Sequence, residues 1–258
     1  MPSSPSICIY PDAREAAWAG AESFALRAGA AVRDSGRFSV ALSGGSGPVE
    51  MYRLMGEEPF RSAIPWEGVH LFWGDERCVP PGHHRSNYGM AHEAFISRVP
   101  VPPENVHRMR GELPAAEGAR RYAEELAAFF GPGIPRLDLV HLGMGPDGHT
   151  ASLFPFSPLL LERGRTVADA IQQPAGEPRI TLTPPVLRAA ARVEMLVTGA
   201  GKAAIVRTAL RGPLDPLRIP AQMVGAGARP LPHARTDALT HSRIAWMLDA
   251  AAAAGITR

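Results

Sequence analysis

A chain of 258 residues, 45% hydrophobic and 20% charged, has the composition of an ordinary globular protein and enough apolar material for a large core. Its 27 Lys and Arg against 25 Asp and Glu leave a formal charge of only +2, with the basic residues scattered. That excludes an obvious nucleic-acid or membrane surface, while an anionic small molecule needs only a few cations in one pocket.

The two cysteines, Cys8 and Cys78, form no CxxC pair, which argues against a metal site or a disulfide framework. Buried free thiols in a reducing compartment are the expectation. The N-terminal MPSSPSICIYPD lacks a basic region followed by a long apolar run, and no segment is apolar for long enough to span a bilayer. A cytoplasmic location is expected.

In chain order, Ile7–Tyr10 reads as a short strand and Pro11-Asp12 as the turn into a helix. Asp12 with Glu15 three residues on suggests a capping box, and Trp18, Ala21, Ala25, Ala28 and Val32 recur at helical spacing up to Gly36. Phe38–Leu42 is a buried-strand pattern running into Ser43-Gly44-Gly45-Ser46-Gly47, with Pro48 opening a helix through Met55. Val69–Trp73 is a third strand, ending in Gly74-Asp75-Glu76-Arg77, and a helix is expected from Ser86 to Phe95. Ala119, Tyr122, Ala123, Leu126, Phe129 and Phe130 form an amphipathic stripe that Gly131-Pro132 terminates.

Leu137–Leu142 is the next strand and leads into Gly143-Met144-Gly145-Pro146-Asp147-Gly148-His149. Arg179–Leu182 and Val193–Thr198 follow as strands, the second ending in Gly199-Ala200-Gly201-Lys202 before another helix. Ile244–Leu248 is the last strand, with Asp249 capping a short alanine helix. Strands alternating with helices predict an α/β fold, a mainly parallel sheet with helices on both faces. There is no internal repeat. The Pro- and Gly-rich stretches 80–87, 100–114 and 212–233 read as surface loops, so residues 1–258 are expected to form a single domain.

In open α/β sheets ligands bind beyond the carboxyl ends of the strands. Four such ends carry glycine or charge here: 43–47, 75–77, 143–149 and 199–202. The glycines of Ser43–Gly47 let backbone N–H groups face an anion at a helix start, although a plain tight turn would use the same residues. The loop is neither a Walker loop nor a dinucleotide fingerprint. Of the charged triplet, Glu76 is expected to make a structural ion pair, and Arg77 has the fork that suits a phosphate. Lys202 sits where a phosphate would meet ammonium and backbone together.

His149 is the sharpest position: a histidine in a Gly-rich loop, two residues after Asp147, can be oriented by a carboxylate and act as a general base. Either Asp147 or Asp75 is a candidate for that orienting role. The other eight histidines, His83-His84 among them, read as surface or core. Ser152 lacks a G-x-S-x-G context and is assigned a helix start rather than a nucleophile's role.

Taken together, ALSGGSGP (41–48), FWGDERCVPP (72–81), SNY (86–88), LGMGPDGHTASLFP (142–155), RITLTPPVL (179–187), VTGAGKA (197–203) and IPAQMV (219–224) resemble the 6-phosphogluconolactonase family, in family order over nearly the whole chain. The resemblance implies one α/β domain of the kind shared with glucosamine-6-phosphate deaminases and ribose-5-phosphate isomerases. It implies hydrolysis of 6-phosphogluconolactone in the oxidative pentose phosphate pathway, with no metal and no cofactor. By the same likeness His149 activates the water, Arg77 and Lys202 bind phosphate, and Arg179 lines the pocket. The amides of Ser43, Gly44 and Gly45 are the expected phosphate cradle. The chain departs from the family at Gly47, where relatives often carry a hydroxyl residue, and in the less acidic loop His83–Arg85.

A related deaminase or isomerase would share the cradle, but TASLFP follows the histidine where deaminases carry an acidic residue. A sugar-phosphate-sensing module usually follows a DNA-binding segment, whereas this chain begins almost at its first strand. A catalytically inactive binder would not need an intact histidine motif. A phosphorylated sugar lactone is the expected partner, and oligomeric state stays open.

Overall fold

Phe38–Leu42, Leu139–Leu142 and Val193–Val197 are buried along their whole length, as strands covered on both faces must be. In a computed structural model of the chain, describing residues 5–171, 176–225, 229–230 and 242–256, these runs lie side by side at the centre of a parallel sheet. The strands in chain order are β1 (Ser6–Tyr10), β2 (Phe38–Leu42), β3 (Val69–Trp73), β4 (Asp75–Arg77), β5 (Leu139–Leu142), β6 (Val167–Ile171), β7 (Pro178–Leu182), β8 (Val193–Val197), β9 (Arg229–Pro230) and β10 (Ile244–Asp249). Among the described residues the large sheet has seven strands in the order β3-β2-β5-β8-β10-β1-β9, all parallel.

A second, three-stranded antiparallel sheet, β4-β7-β6, was not expected from the strand pattern. It begins where Gly74 ends β3, so Asp75–Arg77 is a strand rather than a loop. Apolar side chains from both sheets belong to one connected core.

Asp12 caps α1 (Ala13–Ser35) by accepting the Glu15 N–H at 2.9 Å. Its buried face is built from Phe24 and the small residues Ala16, Ala17, Gly20, Ala21 and Ala28, which let the helix lie close to β2, β8 and β10. Trp18, placed on that face by spacing, is instead partly exposed and packs edge-on at 4.8 Å against Phe60, which opens the short helix α3 (Phe60–Ala63). The helices α2 (Val49–Met55) and α4 (Asn87–Ala94) follow the site loops, the latter capped by Ser86 Oγ on Gly89 N–H. The amphipathic α5 (Ala115–Phe130) covers β6 and β7. A last short helix, Ala250–Ala253, is capped by Asp249, which accepts the Ala252 N–H at 2.7 Å. Of the stretch 212–233, Gln222–Gly225 is helical and Arg229–Pro230 pairs with β1, while 226–228 and 231–233 lie outside the described residues.

From β2 the chain steps outward to β3 and later returns to β5 on β2's other side. The strand order therefore reverses between β2 and β5, and a crevice opens at their carboxyl ends. No helix among the described residues is long and apolar enough to cross a membrane.

Candidate active site

The strand-end segments of Ser43–Gly47, Asp75–Arg77, Gly143–His149 and Thr198–Lys202 follow β2, β3, β5 and β8, which are four adjacent strands of the sheet. They enclose one cavity of about 270 Å³, to which β7 adds Arg179. Ser43, Gly44, Gly45, Asp75, Arg77, His149, Arg179 and Lys202 all line it. Asp147 stands behind His149 rather than on the wall.

The His149 ring makes a 2.5 Å contact from Nδ1 to Asp147 Oδ1, and its backbone N–H reaches the same oxygen at 3.2 Å. Gly145 permits this: a Cβ there would overlap both the His149 ring and the Asp147 carboxylate. With Nδ1–H donated to a carboxylate, Nε2 is left as the proton acceptor. Burial works to raise the Asp147 carboxyl, but the hydrogen bond and charge of His149 outweigh it and hold the group below its ordinary range. Phe154 lies beside the imidazole, its ring 4.9 Å away, and also beneath Arg179 at 5.6 Å.

Asp75, the other carboxylate considered for orienting His149, does different work. It accepts the Ser152 hydroxyl at 2.6 Å and Asn87 Nδ2–H at 3.2 Å, and faces Arg179 Nη1 at 3.9 Å. Ser152 accordingly does not start a helix: it lies in a turn, fully buried, tying the histidine loop to β4. Nor does Glu76 make an ion pair among the described residues. Buried and isolated from solvent, it accepts the N–H groups of Arg77, Asn87 and Tyr88 and the Ser86 hydroxyl at 2.7–3.0 Å. Burial pushes its carboxyl up, and those four donors pull against the rise. Its role is structural, as expected, but by hydrogen bonding at a helix start.

The cations converge on the cavity from three elements. Arg77 and Arg179 are directly paired across β4 and β7, and the Nε of each is buried without a partner among the described residues. Arg77 Nη1 donates to the Arg85 carbonyl at 2.8 Å, while the Arg85 side chain pairs with Glu177 at 2.9 Å. Desolvation lowers the Arg179 pKa, with Asp75 opposing it. Lys202 Nζ donates to the Met144 carbonyl at 2.8 Å; desolvation lowers its pKa and Asp147 opposes.

The Ser43 amide, expected in the anion cradle, is already taken: it donates to Tyr52 Oη at 3.0 Å, and the same hydroxyl donates back to the Ser43 carbonyl. A backbone anion cradle in this loop would therefore start at Gly44. A Cβ at Gly47 would meet only the Leu196 carbonyl at 3.6 Å, an ordinary contact. Cys8 is buried and Cys78 half-buried, both thiols pushed up to about 11 by burial. Sequence reasoning overlooked Tyr52 and Asn87. The S-N pair opening a helix after GDER was the available signal for Asn87; a tyrosine one turn into a helix carried none.

A strand-end cavity that sets a histidine–carboxylate couple against three cations defines an α/β enzyme class acting on anionic small molecules. Residues 11–231 match the family described as Glucosamine-6-phosphate isomerases/6-phosphogluconolactonase, and the chain belongs to that family. It is 38% identical over 261 residues to the 6-phosphogluconolactonase of Mycobacterium bovis, covering 97% of this chain and 98% of that protein. It is 37% identical over 231 residues to the 6-phosphogluconolactonase of Nostoc sp., with 88% of each covered. The solved structure of 6-phosphogluconolactonase from Trypanosoma cruzi superposes over 100% of this chain and 99% of its own, with TM-score 0.82 and 26% identity.

Proposed function

We propose that the protein hydrolyses 6-phospho-D-glucono-1,5-lactone to 6-phospho-D-gluconate, the lactone-opening step of the oxidative pentose phosphate pathway. The family membership supports the reaction, and one observation carries the mechanism: His149, backed by Asp147, shares a cavity with Arg77, Arg179 and Lys202.

The three cations and the Gly44 and Gly45 amides hold the phosphate, a dianion that benefits from charge-assisted, forked donors. Anchoring one end of the substrate fixes its carbonyl carbon relative to His149, so positioning lowers the barrier. His149 Nε2 takes a proton from water as the water oxygen bonds to C1. The tetrahedral oxyanion is met by N–H donors of the glycine-rich loops. Collapse breaks the bond between C1 and the ring oxygen, and the imidazolium returns its proton to that oxygen. The acid so formed ionises to solvent. Asp147 keeps the imidazole in the required tautomer and balances its transient charge.

The test offers freshly generated 6-phosphogluconolactone, glucosamine 6-phosphate and ribose 5-phosphate to the purified protein. Acid release from the lactone alone is expected, since the other two reactions need a second acid or base beside the histidine. Ammonia release from the amino sugar would overturn the reading.

A further inference from the structure

Asn87 is the first residue of α4 and lines the cavity, yet it is 1% exposed. Its Nδ2 donates to the Asp75 carbonyl at 2.8 Å and to Asp75 Oδ1 at 3.2 Å. Both partners are acceptors, so the amide can face only one way, with Oδ1 turned away from Asp75. That oxygen is buried without a partner among the described residues. It lies against Gly44, in the space a Cβ would fill: any side chain at 44 would overlap the whole Asn87 amide. The backbone of Asn87 is fixed in turn, because its N–H donates to Glu76 Oε1 at 2.7 Å.

Gly44 follows β2 of the large parallel sheet, and Asp75 begins β4 of the small antiparallel one. One side chain therefore spans the gap between the two halves of the anion site. On one side is the glycine cradle; on the other is the strand that carries Arg77 and pairs with Arg179.

We propose that Asn87 is a positioning residue for the reaction: bonded to Asp75 and packed against Gly44, it sets the distance between the backbone cradle and the arginine pair. The proposal rests on the phosphate-anchoring role given to that cavity above. A misplacement of about 1 Å in such an anchor is enough to cost on the order of 10²-fold in rate. The requirement for glycine at 44 follows from the same contact, because Asn87 Oδ1 occupies the position of the missing Cβ.

The test is a double-mutant cycle of Asn87→Ala and Gly44→Ala, read as the calorimetric Kd for 6-phosphogluconate and as KM and kcat for the lactone. Gly44→Ala alone should raise Kd by about tenfold or more, since the new methyl displaces the loop from Asn87. Asn87→Ala alone should raise Kd and KM with a smaller fall in kcat, because His149 and Asp147 sit on a different loop. In the Asn87→Ala background, Gly44→Ala should add at least about threefold less than it does alone, the coupling expected of contacting residues. Thermal melting monitors folding of each variant. If Asn87→Ala does not fold, Gly44→Ala with Asn87 intact still decides, because wild-type affinity in that variant overturns the proposal. Strictly additive effects, or Asn87→Ala affecting kcat and not KM or Kd, also overturn it. Binding of 6-phosphogluconate is read separately from turnover, so a protein that binds and couples as described but leaves the lactone intact would fail the functional reading and not this one.

Discussion

Arg77 and Arg179 stand directly opposite each other in the antiparallel pairing of β4 and β7. Like charges at facing positions of a sheet destabilise it, and two neighbouring groups act against that cost. Asp75 faces Arg179 at 3.9 Å, and the Arg85 carbonyl accepts from Arg77. The two Nε groups stay buried without partners among the described residues. On the proposed reading, a phosphate in the cavity would satisfy both forks at once.

Arg77→Ala and Arg179→Ala should each weaken binding of 6-phosphogluconate by about 1.5–3 kcal/mol, the range for a hydrogen bond to a charged group. The stabilisation that ligand confers on the folded state should shrink in step. At a hundredfold excess over Kd it amounts to roughly 2.7 kcal/mol in the unmutated protein. Calorimetry and melting with and without ligand check both effects, and unchanged affinity in the two variants would remove the pair from the site.

His149→Ala should lower turnover of the lactone by about 10²–10⁴-fold, the usual contribution of a general base. Asp147→Asn keeps the size of the orienting group but can present an N–H to Nδ1, favouring the wrong tautomer. It should reduce kcat with little change in the Kd for 6-phosphogluconate. Steady-state rates corrected for spontaneous hydrolysis, beside calorimetric affinities, separate chemistry from anchoring.

The parallel sheet was legible in the sequence because its strands are fully buried and read as unbroken apolar runs. The small sheet was not. Val167–Ile171 is an alternating VADAI in which Asp169 and Ile171 face solvent, a pattern too short to stand out after a loop rich in arginine and glycine. Asp75–Arg77 carries three charges and looked like a loop because its pairing partner lies a hundred residues on. Most residues around the cavity were legible from glycine and charge at strand ends, whereas Arg179 came only through the family resemblance and Asn87 was missed. Their division of labour was not: Asp75 and Asp147 are alike in sequence, and only the fold shows that Asp147 touches His149 while Asp75 takes Ser152 and Asn87.

Glu76→Ala should destabilise the protein by at least about 3 kcal/mol, because several buried donors lose their acceptor and each such loss costs roughly 1–3 kcal/mol. Glu76→Gln keeps the shape and part of the acceptor capacity, and should cost less. Urea unfolding measures both. Equal, small effects would mean that water replaces the carboxylate at the start of α4.

Glu194, on β8, is the buried charge farthest from any expectation. It is 1% exposed and accepts from Ser23 Oγ at 2.7 Å and Arg192 Nε at 3.1 Å, with Arg27 Nε at 3.4 Å. His141 Nε2 stands 3.6 Å from its other oxygen, an ion-pair rather than a hydrogen-bond distance. Burial acts to raise its carboxyl, but His141 and the two arginines outweigh it and hold the group at about 2. A folded-state pKa below the unfolded value means that the ionised group stabilises the fold above the ordinary carboxylate range. That contribution is lost as pH falls from there towards about 2. Glu194→Gln keeps the side-chain volume and removes the charge, leaving Arg192 buried without its counter-ion. The expected cost at pH 7 is about 3–5 kcal/mol, the range for breaking one side of a buried pair. The gap between the two proteins should narrow when urea unfolding is repeated near pH 3, because the wild-type carboxylate has by then lost much of its advantage over the unfolded chain. A gap that stays constant between the two pH values would show that Glu194 contributes through packing rather than through its charge.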